Sequence, residues 1–345
     1  MKGSVVILDH LKGREVAARL VDGRLEDFLF APADAGLALP GAIYRAIVER
    51  PMKGQGGVMV RLPEGTGFLR QAKGLAAGQA ILVQVTGYAE PGKAVPVTQR
   101  VLFKSRYAIV TPDAPGLNIS RAIRDEERRV ELQALADEMM DGSPHGLILR
   151  TAAATGPEAD IAEDIASMRA TAEAILADAE GDAPELLLDG PSPHMLAWRD
   201  WPEPDHVETA AGGLDRFDAH EAVAALASPR VDLPGGATMF VEPTRALVAV
   251  DVNTGADTTP AAGLKANLEA IRALPRQLRC RGLGGQIVLD LAPFPKKDRR
   301  PLEQQLRAAF RADGIETALV GFTGMGLYEL QRKRERLPLD PELCR

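Results

Sequence analysis

Arg245-Ala246-Leu247-Val248-Ala249-Val250-Asp251-Val252-Asn253-Thr254-Gly255 is a short apolar run that delivers a carboxylate and an amide into a Gly turn. The device recurs at Gly284-Gly285-Gln286-Ile287-Val288-Leu289-Asp290, where a Gly pair opens a second apolar run that again ends in Asp. Between them Lys265 to Arg281 reads as a helix, with Leu264, Leu268, Ile271, Leu274 and Leu278 at spacings of three or four. A strand-helix-strand unit makes parallel neighbours about 4.8 Å apart whose C-terminal ends share one edge of a sheet. Asp251 and Asp290 are therefore expected to converge. Two such carboxylates, with no His or Cys nearby in sequence, form a hard oxygen site suited to Mg²⁺ shared with a substrate phosphate. Taken singly, each Asp also reads as a cap or turn residue. The matched strand ends, with Asn253 just past the first carboxylate, set a metal site beside that plainer reading.

Outward from this unit, a chain of 345 residues has room for about two to three domains. Aromatic residues make up only 4%, so the cores must rest on Leu, Val, Ile and Ala. No run approaches the roughly 18 apolar residues of a membrane span, and Met1-Lys2-Gly3-Ser4-Val5-Val6-Ile7-Leu8-Asp9-His10 meets an acid too early for a secretory signal. A cytoplasmic location with no membrane partner is the expectation. Cys280 and Cys344 fit a reducing compartment and cannot by themselves complete a four-ligand zinc site. The net charge of -7 argues against a polyanionic partner, but its distribution qualifies that. Residues 151–190 hold ten acids against one Arg, whereas residues 237–345 hold seventeen Lys or Arg against thirteen acids. Local fields, more than net charge, decide where a polyanion docks.

Residues 3–38 read as a small β-segment with too few strands to stand alone. Short strands at Ala42 to Val48, Gly57 to Arg61, Gly67 to Leu69, Ala80 to Val85 and Ala94 to Gln99 suggest an OB-type barrel. Met59, Phe68 and Lys93 are then candidates for a binding face, against a reading as ordinary barrel residues, because bases stack on aromatic rings and a Lys neutralises phosphate. Arg121 to Met140 and the acidic Glu158 to Ala179 read as helices. Between them Gly146-Leu147-Ile148-Leu149-Arg150-Thr151 is a strand ending in a fork-shaped cation and a hydroxyl, a pair able to grip a terminal phosphate; alone, Arg150 reads as a surface residue. Residues 183–215 look like a linking region with little regular structure, anchored by Trp198 and Trp201. Lys296-Lys297-Asp298-Arg299-Arg300 opens a helix through Phe310 and reads as a solvated face or as a contact for a nucleic-acid backbone.

With these residues in view the chain resembles the ribonuclease E/G family of bacterial endoribonucleases. The resemblance rests on Asp251-Val252-Asn253-Thr254-Gly255, Asn267-Leu268-Glu269-Ala270, Arg276-Gln277-Leu278-Arg279, Leu283-Gly284-Gly285, Ile287-Val288-Leu289-Asp290 and Gly326-Leu327-Tyr328-Glu329-Leu330, in order and spacing. Ala42-Ile43-Tyr44 and Gly67-Phe68-Leu69 match more weakly. It implies a multidomain α/β fold: an RNase H-like scaffold from residues 1–38 and 186–235, an inserted OB-fold barrel over 39–99, a 5′-sensor region over 100–185, and a deoxyribonuclease-I-like α/β catalytic domain over 236–345. It also implies Mg²⁺-dependent cleavage of single-stranded, often AU-rich RNA to 3′-hydroxyl and 5′-phosphate ends, in RNA processing or decay. Asp251 and Asp290 match the metal-binding pair and Asn253 the catalytic amide beside them. Arg150 and Thr151 match the 5′-monophosphate contacts; Phe68 and Lys93 match RNA-binding positions, with Met59 where the family usually has Phe.

The chain departs from the family pattern in places. Cys344 alone cannot supply the Cys-x-x-Cys pair through which longer members join protomers, so a homodimer is expected only without a complete zinc link. Ala292 and Pro293 stand where the family usually carries a further acid, and Thr323-Gly324-Met325-Gly326 replaces a Ser-Arg-Phe-Gly segment. Pro275 is expected to kink its helix or end it early. A metal-free mechanism would need a positioned acid and base, normally His, yet His10, His145, His194, His206 and His220 lie outside the carboxylate motifs. Two rival readings remain, a non-catalytic RNA-binding paralogue and a deoxyribonuclease, the latter separable only by a contact to the 2′-hydroxyl.

Overall fold

The computed structural model describes residues 2–52, 56–70, 74–90, 92–112, 114–259 and 261–344. The chain forms a mixed α/β protein that divides into two compact units, residues 1–33 with 204–345, and residues 34–203. Among the described residues no helix is long and apolar enough to cross a membrane.

In the unit of residues 34–203, Ile43–Met52, Gly57–Leu62, Gly65–Arg70, Val95–Thr98 and Ala80–Val85 pair in that order, and the last returns to the first. The result is a closed, OB-like five-stranded barrel, filled by alternating residues such as Val58, Val60, Leu69 and Val83. A second sheet takes the order Leu117–Ile119, Gly146–Leu149, Ala108–Thr111, Phe103–Lys104. Helices Glu126–Met139 and Glu158–Ala177 cover it, burying Leu132, Ile161 and Ile165 with Leu147 and Leu149. The first helix starts later than Arg121 because the Asp125 side chain accepts the Arg128 N–H and caps it there.

Residues 183–215 are more ordered than their Pro- and Asp-rich composition suggests. They include strand Glu185–Leu188, which pairs with Ile43–Met52, helix Pro193–Asp200 and strand His206–Glu208. The misleading residues are start signals: Ser192 caps the helix through the Met195 N–H and Pro193 occupies its first turn. Of the two tryptophans only Trp201 is buried; Trp198 is 48% exposed, with the Arg106 guanidinium near its ring, so it is not a core anchor.

In the other unit, Ser4–Leu11, Arg14–Val21 and Arg24–Phe30 form an antiparallel meander, and His206–Glu208 adds to Ser4–Leu11 in parallel. Buried Asp9 accepts the Leu214 N–H, which ties the two chain segments together. The remaining sheet has six strands: β1 (Arg230–Asp232), β2 (Thr238–Pro243), β3 (Val248–Asn253), β4 (Gly285–Asp290), β5 (Thr317–Phe322) and β6 (Tyr328–Arg332). Its order is β1-β2-β3-β4-β6-β5. Helices α1 (Ala262–Cys280) and α2 (Arg299–Ala312) pack Ile271, Leu274, Leu278, Leu302, Leu306 and Phe310 against Val250, Leu289 and Leu330.

Pro275 does not end α1, which runs on to Cys280. The ring removes one backbone bond, but the flanking Leu274 and Leu278 are fully buried, so tertiary packing holds the helical path. In the last turn of α1, Arg279 meets Asp27 at 3.4 Å and also contacts Asp313, while Arg332 meets Asp313 at 2.6 Å and Arg336 meets Asp27 at 2.9 Å. Arg332 is 1% exposed, so its charge is tolerated only because Asp313 balances it. Asp313→Ala should therefore lower unfolding free energy by about 3–5 kcal/mol. Urea denaturation checks this; a loss no larger than that of an exposed pair would show that the network is not stabilising.

Candidate active site

Strands β3 and β4 are parallel, with Val248 opposite Ile287, Val250 opposite Leu289 and Asp251 opposite Asp290. Side chains alternate between faces, so Val250, Val252 and Leu289 enter the helix-covered core while Asp251, Asn253 and Asp290 emerge at the exposed face. The two carboxylates are thus brought to one edge, about one inter-strand spacing of 4.8 Å apart at the backbone. Asn253 Nδ2 donates to Asp251 Oδ2 at 2.7 Å, fixing that carboxylate and leaving its second oxygen without a hydrogen bond among the described residues. Among the described residues no cluster of three or more His, Cys, Asp or Glu forms. The donors here are two carboxylates and an amide, a hard oxygen set that fits Mg²⁺ completed by water and phosphate. Just beyond, Lys296–Asp298 form one turn and α2 opens with Arg299, whose guanidinium lies 4.9 Å from the centre of the Phe322 ring.

Arg150 and Thr151 line a cavity of about 560 Å³ in the other unit, with Arg106, Ser120 and Arg199. The Thr151 and Ser120 hydroxyls are 2.9 Å apart. Arg150 is already engaged: it donates to the carbonyls of Ser105 and Arg199 and to Asp200 Oδ1, the last at 2.8 Å. Lys104 and Arg199 each reach the same Asp200 carboxylate at 2.8 Å. Burial alone would push the Asp200 carboxyl up, but the hydrogen bond and charge of Arg199, then Lys104, outweigh it and hold the group well below the usual carboxylate range. Burial pulls the Lys104 ammonium down, and Asp200 offsets part of that. Arg106, Arg150 and Arg199 line the cavity against Asp200 and Glu203, so its wall is net positive and can take an anion beside the Thr151 hydroxyl.

On the barrel, Met59 and Phe68 are register partners on adjacent strands. Both are half-buried, whereas Val58, Val60 and Leu69 point inward, so the pair forms part of the outer face. The Phe68 ring lies across Gly57, where a Cβ would come within 2.5 Å of it, so only glycine leaves room. Lys93 lies in the turn before Val95–Thr98, its ammonium 2.7 Å from Glu90. That exposed pair is weak enough for a phosphate to displace.

Lys104 and the pair Arg199 and Asp200 come from distant segments with no shared spacing, so no sequence motif joins them. Asn267 carried a signal, a polar residue one helical turn before Ile271 on the apolar face of α1.

The family model described as "Ribonuclease E/G family" matches residues 103–211 and 204–335, more than half of the chain. Ribonuclease E of Nostoc sp. is 29% identical over 93% of the chain and 54% of its own length. Ribonuclease G of Escherichia coli K12 is 29% identical over 77% of the chain and 62% of its own length. Ribonuclease E of Synechocystis sp. is 28% identical over 80% of the chain and 46% of its own length. The chain thus spans roughly half of these relatives, from 46% to 62%.

The Asp200 cluster has a pH signature. A depressed carboxyl pKa stabilises the fold fully above its unfolded value of about 3.9, and that contribution is lost as pH falls through the folded value. Asp200→Asn should lower the urea midpoint at pH 7 and flatten its fall below about pH 4 relative to the parent. Parallel midpoint-against-pH curves for the two proteins would contradict this assignment.

Proposed function

The chain belongs to the ribonuclease E/G family, and on that premise we propose that it is a Mg²⁺-dependent endoribonuclease. It cuts single-stranded RNA to leave 3′-hydroxyl and 5′-phosphate ends, in RNA processing or decay within the cytoplasm. The observation that carries this reading is the in-register Asp251–Asp290 pair at the exposed end of two parallel strands. In the same reading, the N-terminal meander with His206–Glu208 is the RNase H-like scaffold, and the six-stranded sheet with α1 and α2 is the deoxyribonuclease-I-like domain.

Asp251 and Asp290 would hold the cation, and Asn253 fixes the Asp251 carboxylate through the 2.7 Å bond. When bound, Mg²⁺ polarises the scissile phosphate and makes an attacking water more acidic. The Asn253 carbonyl oxygen is free to accept a hydrogen bond from that water. The barrel face of Met59 and Phe68 offers an apolar platform for a base, and Lys93 leaves Glu90 to neutralise a phosphate. The cavity at Arg150 and Thr151 receives a 5′-phosphate, Thr151 donating its hydroxyl and the Asp200-centred cations supplying the field. Cys280 and Cys344 are both buried in one apolar cluster, so neither is displayed as a metal ligand.

Asp251→Asn and Asp290→Asn should each lower cleavage of a 5′-monophosphorylated, AU-rich RNA by about 10²-fold or more, the scale on which loss of one transition-state-stabilising group acts. Affinity for the RNA should stay within about twofold, because neither residue supports the core. Gel analysis with Mg²⁺ or EDTA, paired with filter binding, reads both quantities. Full activity in either variant would overturn the proposal. Tight binding without Mg²⁺-dependent cuts by the intact chain would favour a non-catalytic RNA-binding protein.

A further inference from the structure

Strand β4 ends at Asp290, and its ladder to β6 ends at Leu289, so the backbone of the next residues leaves the sheet without strand partners. Leu291 and Ala292 are nevertheless buried. Buried peptide groups must find hydrogen bonds elsewhere. Asn267, on α1 and 0% exposed, supplies both for Ala292: its Oδ1 accepts the Ala292 N–H and its Nδ2 donates to the Ala292 C=O, each at 2.9 Å. One helical turn earlier, Gly263 lies so close that a Cβ there would sit 1.9 Å from the Pro293 carbonyl oxygen. The amide fixes Ala292 and the glycine lets the helix close on Pro293.

We propose that Asn267 is a positioning residue that sets the divalent-cation affinity of Asp290 by clamping the backbone immediately after it. Asn267 does not touch the cation or the reacting atoms. It acts through Ala292, which fixes the exit path of the strand and so the direction in which the Asp290 carboxylate points. A residue needed only for packing would be better met by an apolar side chain, because a buried amide is tolerated only when its hydrogen bonds are made. A side chain that bonds both polar groups of one residue restrains translation and rotation of that peptide together. This inference rests on the Mg²⁺ reading of Asp251 and Asp290.

The test is Mn²⁺ binding to the full chain without RNA, followed by electron paramagnetic resonance, on the parent, Asn267→Ala, Asn267→Ser and Leu274→Ala. Leu274 is a fully buried residue of the same helix, so its variant reports simple loss of core packing. Both Asn267 variants should bind Mn²⁺ about 10-fold more weakly, the lower end of the range for residues that orient metal ligands. Leu274→Ala should lower the thermal midpoint yet keep parental affinity. Parental affinity in a folded Asn267 variant overturns the inference while leaving the Mg²⁺ site standing. Equal weakening in Leu274→Ala, or failure of both Asn267 variants to fold where Leu274→Ala folds, reduces Asn267 to a stability role. Absence of Mn²⁺ binding by the parent defeats the metal reading itself and the inference with it.

Discussion

The parallel pairing of Val248–Asn253 with Gly285–Asp290 is the constraint on which the rest depends. A parallel pair cannot close through a tight turn, so the chain must cross over, and α1 fills that crossover. Its apolar stripe then dictates which face of both strands is buried. A slip of one residue in either strand would drive Asp251 or Asp290 toward Leu274 and Leu278 and bring valines out to water. Burying an unpaired carboxylate is so unfavourable that hydrophobic alternation and charge placement enforce the same register. The convergence of the two carboxylates is therefore a by-product of a well-determined core.

The charged clusters of the two units differ in how they treat their ions. Asp251 and Asp290 are exposed and keep oxygens without hydrogen bonds among the described residues, a state suited to receiving a cation. Arg150, Lys104 and Arg199 are drawn onto a single carboxylate, so that cluster is preorganised as well as positively charged. A phosphate entering there meets cations whose rotamers are already fixed, which lowers the entropy lost on binding. Asp27 and Asp313 balance their arginines in the interior, which marks them as structural.

Much of this was legible in the sequence where local pattern and tertiary structure coincide. The strand-helix-strand order, the shared strand ends and the five short barrel strands follow from hydrophobic period and turn residues alone. Boundaries shifted where a cap intervened, as at Asp125, and order was missed at residues 183–215, where Ser192 and Pro193 start a helix. Pro275 misled in the opposite direction, because intrinsic propensity yields to a fully buried apolar face. The neighbours of Arg150 were invisible: Lys104, Arg199 and Asp200 meet only through the fold. Asn267 was readable as an oddity on an apolar stripe, but its partner is a backbone group, and no side-chain pattern reports that.

The central claim is that Asp251 and Asp290 together hold one divalent cation. Crystals soaked in Mn²⁺ and measured near the manganese absorption edge test it without reference to activity. One anomalous peak within coordinating distance of both carboxylates is the result this account predicts. Occupied manganese sites elsewhere, with none at this pair, would contradict it.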